Sequence, residues 1–272
     1  MKWQHKAFWH HLYPDFTVAI HDRKVNTSQY WAPELETNCE KNWESRIGPF
    51  RFNFSLIWGS FSTPLSDPTE EKTYRRLLHR AIDAKNRHPL NVARPDYPDH
   101  KCRLHCGCND ESMLHLVQCK HVRPFWQACI KFCTEVIGEK GDMCDYTKVI
   151  IFNVDRKHEL LGENTRAFLR HAVRWWYASM TKVLKENKVF VWQTCYRTTL
   201  LKFREAVIRK CVSIKRHHTH REYTPLTGVV PEEERERYRA LANIQPDGNY
   251  SLAPAFVTEI TRAGGQDPAA GG

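Results

Sequence analysis

The chain has 272 residues, a formal net charge of +10 and an isoelectric point near 9.1. This length allows one or two domains with a sizeable buried core. The 41 lysines and arginines outnumber the 31 acidic residues, which favours polyanionic partners such as nucleic acid. No apolar run is long enough to cross a bilayer and no signal peptide is recognisable, so we predict an intracellular protein, nuclear or cytoplasmic, with no membrane partner.

Residues 1–66 are rich in aromatic side chains without a clear period. We interpret them as an irregular segment that docks a protein partner. Aromatic and polar residues alternate between Phe50 and Trp58, except at Ile57, which predicts a strand there.

A helix is predicted to begin at Asp67-Pro68-Thr69-Glu70, where an acidic cap, an early proline and a glutamate coincide. Its apolar face continues at three-four spacing until Pro89 ends the helix. The following loop, with further prolines, leads to the most informative stretch of the chain.

Residues 102–121 concentrate four cysteines and three histidines. A Cys-x3-Cys loop followed by His-x3-Cys on a helix supplies three thiolates and one imidazole, the donor set of a closed structural zinc site. Four protein ligands of this soft kind leave no open position for a reacting water. We predict that Zn2+ is held by Cys102, Cys106, His115 and Cys119. A short helix, capped by Asn109-Asp110-Glu111, is predicted to carry His115 and Cys119 on one face.

Two alternatives stay open within this cluster. Cys108 competes with Cys106 as the second ligand, and His105 and His121 are weaker candidates. The other interpretation is a loop of free thiols, because a buried cysteine often acts only as a small apolar residue. The cysteines outside the cluster are interpreted as core residues: Cys39, Cys129, Cys133, Cys144, Cys195 and Cys211.

The second half of the chain is predicted to be largely helical. A helix runs from Pro124 to Gly138, with Trp126 packing on the knuckle. Val149-Ile150-Ile151-Phe152 is predicted to be a short buried strand or an extended loop. Two long helices then form an antiparallel hairpin, because the break between them at Glu186-Asn187-Lys188 is short. From Tyr223 the chain looks weakly folded, apart from a short helix opened by Pro231.

The predicted fold is therefore mainly α with a small zinc knuckle and minor β structure. It has the order helix, knuckle, helix and long antiparallel helical hairpin. Its boundaries divide an irregular segment (1–66), a helix and zinc-knuckle module (67–138), a helical hairpin (139–221) and a weakly ordered tail (222–272).

A family resemblance rests on a series of motifs. Leu78-His79-Arg80-Ala81-Ile82 and Lys85-Asn86-Arg87 are followed by Cys-x-Leu-x-Cys-Gly, Asp-Glu, His-Leu-x-x-Cys and a tryptophan. This combination, within residues 70–130, resembles the zinc-binding module at the C-terminal end of non-LTR retrotransposon reverse transcriptases. The resemblance places the four predicted ligands on the family's ligand positions and Trp126 on its packing tryptophan. It implies binding to template RNA or target DNA beside a polymerase domain that this chain lacks.

The chain departs from that family in three ways. The loop has one more residue between its first two cysteines, the gap from histidine to the last cysteine is one residue shorter, and Cys108 is additional. All three departures bear on the identity of the second ligand.

Motifs for catalysis are absent from the sequence. It contains no aromatic-x-Asp-Asp pair for polymerase chemistry, no phosphate-binding glycine-rich loop and no Gly-x-Ser-x-Gly elbow. We predict a zinc-stabilised module that binds RNA or DNA and is not an enzyme. Its predicted phosphate contacts are Arg75, Arg76, Arg80, Arg87, Arg103 and Arg123. The alternative is a structural or protein-interaction protein in which zinc replaces missing core.

Overall fold

The computed structural model describes Trp43 and residues 56–57, 60, 62–78, 84, 101–186, 188–219 and 229–265. The chain divides into two compact units, Met1–Trp58 and Gly59–Gly272. In the first unit Leu56 and Ile57 are helical, so the end of the predicted strand is not extended. Ile57 is also where the aromatic and polar alternation fails. The rest of that predicted strand lies outside the described residues.

The described part of the second unit is mainly helical, with one two-stranded sheet, which confirms the predicted fold class. Its helices are α1 (Pro68–Leu78), α2 (Met113–Gln118), α3 (Arg123–Phe132), α4 (Tyr146–Phe152), α5 (Glu163–Glu186), α6 (Trp192–Thr219), α7 (Glu232–Tyr238) and α8 (Pro254–Gly265). The strands are β1 (Ala242–Ile244) and β2 (Tyr250–Leu252), paired antiparallel. A π-helical turn, Cys133–Ile137, continues α3 to Gly138, where the backbone becomes left-handed.

Helix α1 begins with the capping box that its sequence predicts. Asp67 Oδ1 accepts hydrogen bonds from the backbone N–H groups of Thr69 at 2.7 Å and Glu70 at 2.9 Å. Glu70 Oε2 in turn accepts the Asp67 N–H at 2.9 Å. These bonds satisfy donors that have no partner inside the helix. The predicted continuation to Pro89 lies outside the described residues, apart from buried Ala84.

Helices α5 and α6 form the predicted antiparallel hairpin. Ser179 Oγ lies 3.6 Å from Cys195 Sγ near the connection, and the rings of Phe168 and Phe203 lie 5.2 Å apart further along. Along this interface, residue numbers increase on one helix and decrease on the other, so the two helices are antiparallel. Phe132 from α3 and Phe256 from α8 join these rings, with centroids 4.3–6.3 Å apart. The four phenylalanines form what we call the aromatic core.

Two predictions about the second half of the chain are wrong. Val149–Phe152 belongs to α4, not to a strand or extended loop. Asp145 caps this helix by accepting the Lys148 N–H at 3.3 Å, and Asn153 ends it in the left-handed conformation at φ 56°. All four apolar residues are buried, so the run has no amphipathic period to reveal the helix.

The other correction concerns the predicted weakly ordered tail. Residues 231–265 form α7, the β1–β2 hairpin and α8, and α8 inserts Phe256 into the aromatic core. The hairpin turns at Gly248, with φ 77°, and Asp247 Oδ1 accepts the Asn249 N–H at 2.9 Å. These elements are short, and they are held in place by contacts with helices that are distant in the sequence. Residues 266–272 lie outside the described part.

Candidate metal centre

The backbone of residues 102–108 folds into a tight loop, which we call the knuckle. Cys102 N–H donates to the Cys108 carbonyl at 3.0 Å, and His105 N–H donates to the Cys102 carbonyl at 2.9 Å. Leu104 N–H points at Cys102 Sγ at 3.4 Å. His105, with φ 52°, and Gly107, with φ 91°, are both left-handed. His105 lies within the Cys-x3-Cys loop and Gly107 directly after it, so the backbone turns sharply on both sides of Cys106.

Helix α2 carries His115, and Cys119 is the residue that ends it, so the predicted helix holds one donor within it and one at its end; its N-terminal cap also differs from the prediction. Ser112 Oγ accepts the His115 N–H at 3.1 Å, so Ser112 caps the helix and Asn109-Asp110-Glu111 do not. His115 lies inside the helix and Cys119 follows its last residue one turn later. Side chains four apart on a helix share a face, which directs both donors to the knuckle.

The four predicted ligands come together into a group that could hold a metal ion. Their donor atoms all lie within 4.8 Å of one another. Cys102 Sγ lies 3.9 Å from Cys119 Sγ, and Cys106 Sγ lies 3.3 Å from His115 Nε2. Zinc–sulfur bonds of about 2.3 Å in a tetrahedron place two sulfurs roughly 3.8 Å apart. The observed spacing therefore matches a small tetrahedral ion.

The two buried thiols of this group are hydrogen-bonded to each other. The hydrogen bond to Cys119, together with burial, raises the pKa of Cys102 to about 12. The same bond lowers the pKa of Cys119, although burial opposes that shift. Cysteine binds a metal ion as the thiolate, so binding at these two sulfurs would release protons.

The remaining donors of the cluster lie outside this group. Cys108 Sγ accepts the backbone N–H of Asp110 at 3.4 Å, and Cys108 contributes its carbonyl to the knuckle instead. His105 and His121 are exposed. Of the two competing second ligands, Cys106 is the one in the group.

Arg103 does not occupy a position from which it could contact a phosphate, which corrects its prediction as a nucleic-acid contact. Its side chain is 3% exposed and forms a two-pronged ion pair with Glu111, through Nε at 2.9 Å and Nη2 at 2.6 Å. Arg103 N–H also donates to Glu111 at 2.6 Å, and Nη1 donates to the Met180 carbonyl on α5 at 3.1 Å. The pair ties the knuckle to α2 and α5.

The other predicted phosphate contacts are spread over two elements. Arg75 is exposed on α1, and the Arg76 guanidinium lies 5.2 Å from the centre of the Tyr177 ring. Arg123 is exposed at the start of α3. Arg80 and Arg87 lie outside the described residues.

Two further cations beside the knuckle were missed from the sequence. Lys101 precedes the first ligand and Lys120 follows the last, and both are exposed like Arg123. We call Lys101, Lys120 and Arg123 the knuckle cations. None of them forms an ion pair within the described part of the chain, unlike many other surface cations, such as Lys131 with Glu135. The sequence could have indicated these lysines as candidate phosphate contacts, because each is next to a predicted ligand.

Trp126 anchors the helix that follows the knuckle. It is fully buried, and its ring centroid lies 4.6 Å from that of Phe125 and 5.5 Å from that of Trp176 on α5. The tryptophan thus joins α3 to the helical hairpin. Its packing on the ligands themselves stays a prediction.

Four of the cysteines outside the cluster are core residues, as predicted: Cys129, Cys133, Cys195 and Cys211. Burial raises the pKa of each of these thiols, which keeps them protonated and inert. Cys144 is exposed, so its interpretation as a core residue is wrong. Cys39 lies outside the described residues.

Comparison of this chain with protein families, with curated proteins and with solved structures found no match. Among the described residues, no helix is both long and apolar enough to cross a membrane. The chemistry of the Cys/His group therefore carries the functional argument.

Proposed function

We propose that this chain is a zinc-stabilised module that binds nucleic acid and carries out no catalysis itself. The observation that carries the proposal is the convergence of Cys102, Cys106, His115 and Cys119 on one point. Three thiolates and one imidazole are soft donors of the kind that select zinc over magnesium or calcium. Because the protein supplies all four ligands, the ion would have no site for water or substrate.

The charge around the knuckle supports a polyanionic partner. The sulfurs of Cys102 and Cys119 are buried, so the negative charge of the ligands would lie inside, while the knuckle cations lie outside. A lysine or arginine without an acidic neighbour is available to a phosphate group, and such contacts dominate affinity for nucleic acid. The net charge of +10 acts in the same direction over longer distances.

The proposed origin of the module is a non-LTR retrotransposon reverse transcriptase, of which this chain resembles the C-terminal part. The order of knuckle, short helix and trailing tryptophan supports the proposal. In that setting the module would hold template RNA or target DNA beside a polymerase.

Binding to nucleic acid should weaken steeply with salt and depend on zinc. We expect affinity for a fluorescently labelled nucleic acid, measured by anisotropy, to fall by orders of magnitude between about 50 and 200 mM salt if six or more phosphates are contacted. Removal of zinc by a chelator should weaken binding because the knuckle cations lose their fixed positions, and added Zn2+ should restore it.

The control for this experiment is Cys108→Ser, which changes a neighbouring thiol outside the donor group. This variant should bind as the wild type does and respond equally to the chelator. Affinity that is insensitive to salt, or no binding by the zinc-loaded protein, would contradict the proposal. Retained zinc without nucleic-acid binding would favour the structural or protein-interaction alternative.

A further inference from the structure

We infer that one face of α5 binds single-stranded nucleic acid, with its cations on phosphates and its aromatic rings stacked on bases. This face, which we call the α5 face, consists of Arg174, Trp175, Tyr177, Lys182 and Lys185. The inference rests on the proposed nucleic-acid-binding function and adds to it a second surface and the class of nucleic acid.

Helical spacing places the cations of the α5 face on one side of the helix. Arg174 and Lys185 are eleven residues apart, which is close to three turns, and Lys182 lies one turn before Lys185. At 1.5 Å per residue the three cations extend over about 16 Å. Lys182 and Lys185 are exposed and Arg174 is half-buried, whereas Trp176 and Val183 on the opposite side are buried. The α5 face is therefore the side of the helix that is turned away from the core.

The cations of the α5 face form no ion pair within the part of the chain that the structure describes. Helix α5 has no acidic residue between Glu163 and Glu186, its first and last residues. Glu186 lies one turn beyond Lys182 but bonds Lys188 at 2.7 Å. Positive charge without nearby carboxylates attracts polyanions, and lysine or arginine at phosphates supplies most of the non-specific affinity for nucleic acid.

Two aromatic rings flank these cations, and an arginine lies over each ring. Trp175 and Tyr177 are both half-buried, so part of each side chain is exposed. The Arg174 guanidinium lies 5.9 Å from the centre of the Trp175 ring, and the Arg76 guanidinium, on α1, lies 5.2 Å from the centre of the Tyr177 ring. Both distances are within the range of cation–π attraction, which extends to about 6 Å. These contacts hold planar groups at the surface beside the cations.

A single strand is the ligand that uses both kinds of group. Proteins that bind single strands combine cations along the backbone with aromatic side chains on which bases stack, and arginine planes also stack on bases. A duplex keeps its base faces inside the stack, so it would contact the cations and leave both rings unused. The α5 face therefore favours single-stranded RNA or DNA over a duplex.

The first test changes the rings without changing the charge. The affinity of the zinc-loaded chain is measured by fluorescence anisotropy for labelled single-stranded RNA, single-stranded DNA and a duplex of equal length. We expect both single strands to bind more tightly than the duplex, because stacking and phosphate contacts do not require the 2′-hydroxyl. The double variant Trp175→Leu, Tyr177→Leu should weaken single-strand binding about tenfold or more, since each stacked base contributes roughly 5- to 100-fold.

The matched control for the rings is the double variant Trp175→Phe, Tyr177→Phe, which keeps a ring at both positions and should retain most of the affinity for single strands. Duplex binding should be the same in both double variants, because a duplex does not use the rings. Circular dichroism checks that each variant is folded.

The second test removes the cations and stays informative if the leucine variant does not fold. The triple variant Arg174→Gln, Lys182→Gln, Lys185→Gln should weaken single-strand binding. It should also make the slope of log affinity against log salt shallower by roughly 2, since each lost phosphate contact on a single strand removes about 0.7.

A matched control for the charge removes three cations that are paired with acidic residues on or beside their own helices. It changes the net charge equally but should leave the slope almost unchanged. An equal effect of both triple variants would overturn the assignment to the α5 face. The control substitutions are Lys131→Gln, Lys202→Gln and Arg239→Gln, whose partners are Glu135, Glu205 and Glu236.

The failures of this inference and of the proposed function are distinguishable. Equal binding of single strands by the leucine and phenylalanine variants, or tighter binding to the duplex, would overturn the inference and leave nucleic-acid binding intact. Single-strand binding that both the leucine and the glutamine variants of the α5 face retain in full would also overturn it and would favour a protein partner for this face. No binding to any of these nucleic acids by protein with one zinc per chain would overturn the proposed function as well.

Discussion

The knuckle and the aromatic core are held together in different ways. The core packs Phe132, Phe168, Phe203 and Phe256 from four separate helices, and all four rings are almost fully buried. The knuckle has two left-handed residues, and exposed or half-buried side chains from His105 to Asp110. Apolar burial stabilises the first region without help. The second has little apolar surface to bury; one buried ion pair stabilises it, and a metal ion would do so under the proposed function.

The comparison predicts that damage to the core is independent of the metal. Phe203→Ala should lower the free energy of unfolding by about 4 kcal/mol, because it removes a buried ring at the centre of the cluster and leaves a cavity. Urea denaturation followed by circular dichroism measures this change. The folded variant should still hold one metal ion per chain.

The control for the core is Val257→Ala on α8, whose side chain is 44% exposed. It should change the free energy of unfolding by less than about 0.5 kcal/mol. A decrease in the free energy of unfolding below about 1 kcal/mol for Phe203→Ala would contradict the role of ring packing in the core. Loss of the metal in the folded variant would contradict the independence of the two regions.

The ion pair between Arg103 and Glu111 sharpens the comparison because Arg103 also bonds the Met180 carbonyl on α5, the helix that carries Phe168 of the aromatic core. Arg103→Ala should cost about 3 kcal/mol, since Glu111 would be left buried without its partner. The double variant Arg103→Met, Glu111→Leu should recover much of that loss, because apolar side chains of similar size remove the unpaired charge. Urea denaturation of Arg103→Met, Glu111→Leu and their double variant gives the coupling energy.

If the two single substitutions had additive effects on the free energy of unfolding, Arg103 and Glu111 would not stabilise each other, which would contradict the account. Recovery of stability in the double variant, with the metal retained, would confirm that the pair orders the knuckle without contributing to the ligand set. Loss of the metal in the double variant would instead mean that the pair is needed to shape the donor group.

Local sequence signals explain which features could be predicted. The capping box at Asp67 and Glu70 depends on residues three apart, and the ligand motifs depend on residues four apart. Helix periodicity likewise identified α5 and α6. In each case the residues that make up the signal are close in sequence.

The features that could not be predicted depend on distant contacts. Arg103 carries the same charge as exposed Arg123, and only the fold pairs it with Glu111. Val149–Phe152 lacks an amphipathic period because all four of its side chains are buried, and α8 is ordered by inserting Phe256 between helices that precede it by many residues. Cys106 belongs to the donor group and Cys108 does not, in a loop with a left-handed backbone at His105 and Gly107 whose exact path residue spacing does not give.

The metal content of the purified chain tests the central claim most directly. Elemental analysis should find one zinc per chain in the wild type and in Cys108→Ser, and none in Cys119→Ser, which removes one of the four donors. Circular dichroism should show that Cys119→Ser keeps the helical signal of the aromatic core. A folded wild-type chain without bound metal, or zinc that depends on Cys108 and not on Cys119, would contradict the account.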